Sequence, residues 1–266
     1  MATEPQPAAT VILLRDASPS PEVLMIERHS RSEFLPDMYV FPGGRVDDED
    51  HALADRITGI DPAALLPQFE PDRAPAFFVA AIRETFEEAG ILLARRAGEA
   101  GFIDAAAADA LSRHRLDVQS GELSFRALVE REKLELAADC LSVHAHWITP
   151  EGVARRFDTV FFAAIAPPGQ LAAHDGVEAT DHLWIRPEEA LDQMQAAKRR
   201  IIFPTASNLR TLCGFDDTRA ALESSRARPV VPVQPKLIER DGKRLLAIPD
   251  EAGYPITEEP LPEAHS

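Results

Sequence analysis

The chain has 266 residues, 45% of them hydrophobic, with 44 acidic against 28 basic side chains and a formal net charge of -16. That length and apolar content suit one main domain carrying an insertion or a tail. The acidic balance speaks against a nucleic-acid binder, whose phosphate contacts need clustered Lys and Arg; a phosphorylated small molecule stays accessible through local basic groups or a metal.

Residues 1–9 read as a flexible lead. The apolar runs 10–16 and 22–28, separated by the Ser-Pro-Ser-Pro turn at 18–21, read as a strand hairpin. A strand at 38–46 runs into Pro42-Gly43-Gly44. Residues 47–75 are acidic and then Pro-rich, with a short helix expected over 50–57. Residues 75–90 read as a helix, with Pro75 at its start and Gly90 as its stop. Further helices are expected over 103–114, 125–134, 188–198 and 205–213, and strands over 141–149, 159–166 and 182–187. Past residue 225 the chain is Pro-rich, and Asp241-Gly242 between two apolar runs marks a hairpin over 236–248. Strands and helices interleave without regular alternation, so an α+β fold, layered α/β/α with a mixed sheet between helices, is expected.

Two cysteines, Cys140 and Cys213, suit a reducing cytosol and no disulfide framework. The first ten residues have no basic and apolar segments of a signal peptide. No apolar run approaches the roughly 18 residues needed to span a membrane, and the final residues are not a Ser-Lys-Leu type address. A cytoplasmic protein without membrane or nucleic-acid partners is the expectation.

The helix at 75–90 carries the chemistry. Glu84, Glu87 and Glu88 stand at i, i+3 and i+4, so their carboxylates share a face. Like charges at this spacing cost about 0.2–0.5 kcal/mol per pair, and the C-terminal helix dipole disfavours anions. A positive partner is called for. Arg83 supplies one charge; a divalent cation bound by hard carboxylate oxygens supplies more. The Gly43-Gly44 turn offers a backbone carbonyl as a further ligand. Phe78, Val79, Ile82, Phe86 and Ala89 form the opposite, apolar face. The alternative is a solvated acidic surface.

These residues resemble a Nudix box, G-x5-E-x7-R-E-U-x-E-E-x-G-U, where U is bulky and apolar. Arg83, Glu84, Glu87, Glu88, Gly90 and Ile91 match its second half, and Phe41-Pro42-Gly43-Gly44 its opening. Thr85 replaces a U residue. The first acidic position falls on Asp50, with Glu49 beside it, and 32 residues separate Asp50 from Arg83 where the motif has seven. The box is therefore interrupted by about 25 residues. This interruption, together with residues 146–164, resembles the coenzyme A diphosphatase branch of the Nudix hydrolases.

The resemblance covers roughly residues 10–215, with the insertion at 47–75, and leaves 226–266 as a Pro-rich extension bearing the hairpin. It implies a mixed sheet between helices with the box as loop-helix-loop. It also implies Mg²⁺- or Mn²⁺-dependent hydrolysis of a nucleoside diphosphate linked to another moiety. CoA or acyl-CoA is the leading substrate; ADP-ribose, NADH or a non-catalytic nucleotide-binding module are the alternatives. Glu84, Glu87, Glu88 and Gly44 are the metal ligands so implied. Glu84, Glu87 and Arg83 are catalytic, Arg83 by orienting a box glutamate through a bidentate pair. Glu178 is the candidate general base, Asp181 a second choice. The insertion is a candidate cap over the site or a contact between two copies in a homodimer.

Three other groups draw attention. His144 and His146 would share one face of a strand near Cys140, a weak zinc candidate. Arg155 and Arg156 are candidates for phosphate contact, and Asp158 for a structural role. The basic stretch 197–204 is a candidate for a CoA phosphate or simply a helix end.

Overall fold

A computed structural model describes residues 3–32, 35–174, 176–177 and 179–261. The first half runs β1 (Gln6–Arg15), β2 (Glu22–Arg28), β3 (Tyr39–Val40), β4 (Gly43–Arg45), α1 (Asp48–His51), α2 (Pro62–Leu65) and α3 (Ala74–Ala89). It continues through β5 (Ala94–Arg96), α4 (Ala105–Ser112), α5 (Arg115–Gln119), α6 (Phe125–Arg131) and β6 (Leu134–Leu136). The second half comprises β7 (Ser142–Ile148), β8 (Phe157–Ile165), β9 (Ala179–Ile185), α7 (Pro187–Gln195), α8 (Phe203–Arg210) and α9 (Thr218–Ala227). Four short strands follow: β10 (Pro232–Val233), β11 (Lys236–Arg240), β12 (Lys243–Ala247) and β13 (Glu258–Pro260).

The apolar run in β1 is continuous because both of its faces are buried. Val11 and Leu13 enter one core cluster, Ile12 and Leu14 another. The first cluster lies between the sheet and α3; the second lies under α7, α8 and α9. The chain is thus an α+β sandwich about a mixed sheet ordered β10-β7-β8-β1-β2-β3, with β4 also on β1 and β9 on β2. β1 pairs in parallel with β8 from Gln6↔Phe157 to Leu14↔Ile165. That pairing recruits residues 6–9 into the strand, where a flexible lead is expected from sequence; the partner lies 151 residues away and is invisible locally. β1 also pairs with β4 at Ala9↔Gly44, which sets the Gly-Gly turn beside the sheet.

The insertion is not one helix over 50–57. It forms α1, a 3₁₀ turn at Ala54–Arg56 and α2, the last capped by the Asp61 side chain and with Pro62 at its start. Leu53 and Leu66 are buried, and Phe69 packs on Phe77 of α3 with ring centroids 4.3 Å apart. The segment is a layer over α3 of its own chain. β11 and β12 form the expected hairpin, and Asp241 and Gly242 both take positive φ (52° and 73°), as the tight turn requires. Among the described residues no helix is long and apolar enough to cross a membrane.

Candidate active site

α3 starts with Pro75 in its first turn and ends on Gly90, whose φ of 70° is left-handed and whose N–H reaches Phe86 O at 2.9 Å. Its apolar face seats on the sheet: Phe78, Val79, Ile82, Phe86 and Ala89 are fully buried. The polar face is nearly as hidden, with Arg83, Glu84, Glu87 and Glu88 exposed by only 7, 9, 8 and 1%. A solvated acidic surface is excluded. Thr85 stands for a bulky apolar residue with its buried hydroxyl satisfied, since it donates to Ala81 O one turn back at 2.7 Å.

Arg83 organises the cluster. Its guanidinium has five N–H groups, and five hydrogen bonds leave it. Nε and Nη2 donate to Asp50 at 2.9 Å each, Nη2 to Arg45 O at 2.8 Å, and Nη1 to Glu84 at 2.7 Å and Glu87 at 3.3 Å. Asp47 adds a 3.6 Å ion pair. Burial would push this guanidinium down, but the Asp50 hydrogen bonds and the charges of Glu84, Asp50 and Glu87 hold it up. The expected bidentate pair therefore exists, but with Asp50; the two box glutamates share the single Nη1. Asp50, 1% exposed, also accepts from Asp47 N at 2.8 Å, while Glu49 is exposed. The break in the motif is thus closed in space by Asp50.

Gly44 lies directly under Glu84. A β carbon there would fall 2.5 Å from Glu84 Cδ and 2.6 Å from Oε2. Gly43 N donates to Glu88 Oε2 at 2.8 Å. Glu84, Glu87, Arg83, Gly43, Gly44 and Asp47 line a cleft of about 1170 Å³, whereas Glu88 sits behind the wall. A smaller recess of about 290 Å³ shares Asp47, Arg83, Glu87 and Gln119 with it.

As placed, no three His, Cys, Asp or Glu side chains among the described residues close around one point; Glu84 and Glu87 face Arg83, and Glu88 faces the Gly43 amide. The donor set still fits a hard divalent ion. Asp50, Glu84 and Glu87 bring three carboxylates to one guanidinium, with Glu88 one residue on along the helix against the Gly43 amide, and carboxylate is the ligand type that Mg²⁺ and Mn²⁺ prefer. The Gly44 cradle is what lets a carboxylate lie against backbone there.

Of the remaining sequence candidates, Glu178 lies outside the described residues. Asp181 is exposed and accepts from His182 N at 2.8 Å. The two histidines do not share a face. A β-bulge between Val143 and Ala145 turns His144 toward Ser225 and Thr211 (2.9 and 3.0 Å) and leaves His146 on the other side, against Asp158 and the Phe69 ring. Both ring nitrogens of His144 are taken by the Ser225 and Thr211 hydroxyls, and burial pushes the Cys140 thiol up to about 12, so neither is a ready zinc ligand. Arg155 and Arg156 both line the cleft, and Arg156 also ties loops together by donating to Thr149 O and Thr3 O. In the basic stretch 197–204, Arg199 lies over the Tyr39 ring at 4.2 Å and Ile202 reaches the cleft. Sequence reasoning missed Asp47, Arg28 and Gln119, which line the cleft, and Arg115, which donates to Glu87 O. Asp47 had a signal in the run Asp47-Asp48-Glu49-Asp50; the others had none.

A loop-helix-loop whose buried carboxylates converge on one arginine and overlie a Gly-Gly turn is the architecture of a Nudix box. The chain belongs to the Nudix hydrolases: the NUDT19 Nudix domain family matches residues 6–212. A protein named acyl-coenzyme A diphosphatase NUDT19 from Gallus gallus is 32% identical over 258 residues, covering 78% of this chain and 68% of that one. Its namesake from Xenopus laevis is 29% identical over 229 residues, covering 73% of this chain and 60% of that one. The chain thus spans roughly two thirds of the length of these relatives. The crystal structure of a NUDIX hydrolase from Alicyclobacillus acidocaldarius matches with a TM-score of 0.72 at 28% identity, over 83% of this chain and 96% of that chain.

Proposed function

We propose that this chain is a Mg²⁺- or Mn²⁺-dependent pyrophosphohydrolase that cleaves CoA or acyl-CoA into the phosphopantetheine fragment and adenosine 3′,5′-bisphosphate. The observation that carries the chemistry is the buried Glu84–Arg83–Glu87 cluster at the wall of a cleft large enough for a nucleotide conjugate. The substrate class is supported by what the NUDT19 relatives are named for.

Glu84, Glu87 and Glu88, with the Gly44 carbonyl, would hold the ion. Such an ion, when bound, would offset the charge of the diphosphate and lower the pKa of a water beside it. In hydrolysis a water oxygen bonds to one phosphorus, the P–O bond of the anhydride breaks, and the departing phosphate carries away the electron pair. Glu178 is our candidate for the base that takes the water's proton. Arg83 spends its donors inside the protein, so its part is to hold the carboxylates in place. Work in the cytoplasm belongs to the same proposal and is supported by two free thiols, Cys140 and Cys213.

The test is a product assay with Mg²⁺ or Mn²⁺ on CoA, acetyl-CoA, ADP-ribose and NADH. Cleavage of the CoA compounds at the diphosphate supports the proposal. Cleavage of ADP-ribose or NADH alone removes the CoA assignment and keeps the chemistry. No cleavage of any of them ends the enzymatic reading.

A further inference from the structure

The last turn of α3 is where the glutamates crowd, and it is also where helix carbonyls lack intrahelical donors. Among the described residues, three donors that reach those carbonyls stand out. Gly90 N reaches Phe86 O at 2.9 Å and Ala173 N reaches Ala89 O at 2.9 Å. The third is a side chain from outside the box: Arg115 of α5 donates to Glu87 O twice, from Nε at 3.2 Å and from Nη2 at 2.9 Å. Arg115 is 7% exposed. A β carbon on Gly90 would stand 3.0 Å from Arg115 Nη1, so a side chain at that glycine would crowd the guanidinium beneath the turn. One turn further along α5, Gln119 lines the cleft.

Two effects follow from this geometry. The paired bonds fix the backbone of Glu87, the residue whose carboxylate faces the cleft beside Glu84. The guanidinium also places a cation at the C-terminal end of the helix, where the dipole and the neighbouring carboxylates are unfavourable to one another. We infer that Arg115 is a positioning residue for the carboxylate cluster and tunes its affinity for a divalent cation without touching either the ion or the substrate. The inference rests on the metal-cradle reading of Glu84, Glu87 and Glu88, and it gives Gly90 a second task beyond its left-handed φ.

The experiment is a calorimetric Mn²⁺ titration of the full chain without substrate, for the wild type, Arg115→Lys and Arg115→Met, each with a thermal melt. Supporting groups behind metal ligands are worth about 10–100-fold in affinity, so Arg115→Met is expected to bind Mn²⁺ at least about 10-fold more weakly. Arg115→Lys keeps the charge and loses the fork, and is expected to fall between the two. A purely structural arginine would lower the melting temperature and leave the Mn²⁺ affinity of the folded protein unchanged; that result overturns the inference. Should Arg115→Met fail to fold, Arg115→Lys decides by the same criterion. A wild type that binds no Mn²⁺ overturns this inference and the metal cradle together. The expected variant pattern in a protein that cleaves no CoA leaves Arg115 standing and removes only the substrate assignment.

Discussion

Replacing Asp50 by Ala removes the carboxylate that receives two of the five Arg83 hydrogen bonds, both at 2.9 Å, in a site where Asp50 is 1% exposed. Charge-assisted bonds of this kind contribute about 1.5–3 kcal/mol each. Breaking one partner out of a buried pair costs about 3–5 kcal/mol, because the other charge is left behind. Two observations adjust that range. Arg83 keeps Arg45 O, Glu84 and Glu87, which softens the loss, while Asp47 N loses the acceptor that caps α1, which adds to it. We expect Asp50→Ala to lose about 3–4 kcal/mol in urea unfolding. Adding Arg83→Met should cost less than the sum of the two single changes, since the stranded cation is gone. A loss below about 1 kcal/mol, or strict additivity, would refute the claim that Asp50 closes the interrupted box.

Two further outcomes are open to direct measurement. Gly44→Ala drives a methyl into the end of the Glu84 side chain, which can swing aside; unfolding should shift by no more than about 1 kcal/mol while turnover of CoA falls about 100-fold, as a displaced catalytic group commonly costs. His144 is held neutral in the fold, its pKa pushed from 6.5 to about 3 by burial. The unfolded chain therefore binds a proton that the folded chain refuses as pH falls from 6.5 toward 3. His144 thus removes about 1.4 kcal/mol of stability per pH unit across that window and nothing above it. His144→Gln should flatten this acid limb, seen as a smaller spread of urea midpoints between pH 7 and pH 4.5.

What was legible in the sequence was local. The glycine stop at Gly90 and the Asp241-Gly242 turn are short-range patterns that stand in the fold as read, and the spacing of the three glutamates sets them on α3, with Glu84 and Glu87 on the cleft and Glu88 behind its wall. The apolar face of α3 follows from the same periodicity. What stayed hidden is tertiary. Asp50 reaches Arg83 only because α1 folds back over α3, and no spacing rule spans the 32 residues between them. Residues 6–9 become strand only against β8. The histidine pair looked aligned because strand alternation was assumed, and one extra residue at the bulge separates them. Arg115 gave no signal, since its target is a backbone carbonyl that carries no side-chain identity.

The central claim is that the α3 carboxylates form a metal cradle for diphosphate hydrolysis, and Glu88→Gln tests it most directly. The amide oxygen can still accept from Gly43 N, so the fold should hold while one negative charge disappears. We expect the variant to melt near the wild type, bind Mn²⁺ at least about 10-fold more weakly and lose nearly all hydrolysis of CoA. A Glu88→Gln protein that binds Mn²⁺ and cleaves CoA as well as the wild type would show that the glutamate cluster serves the fold alone.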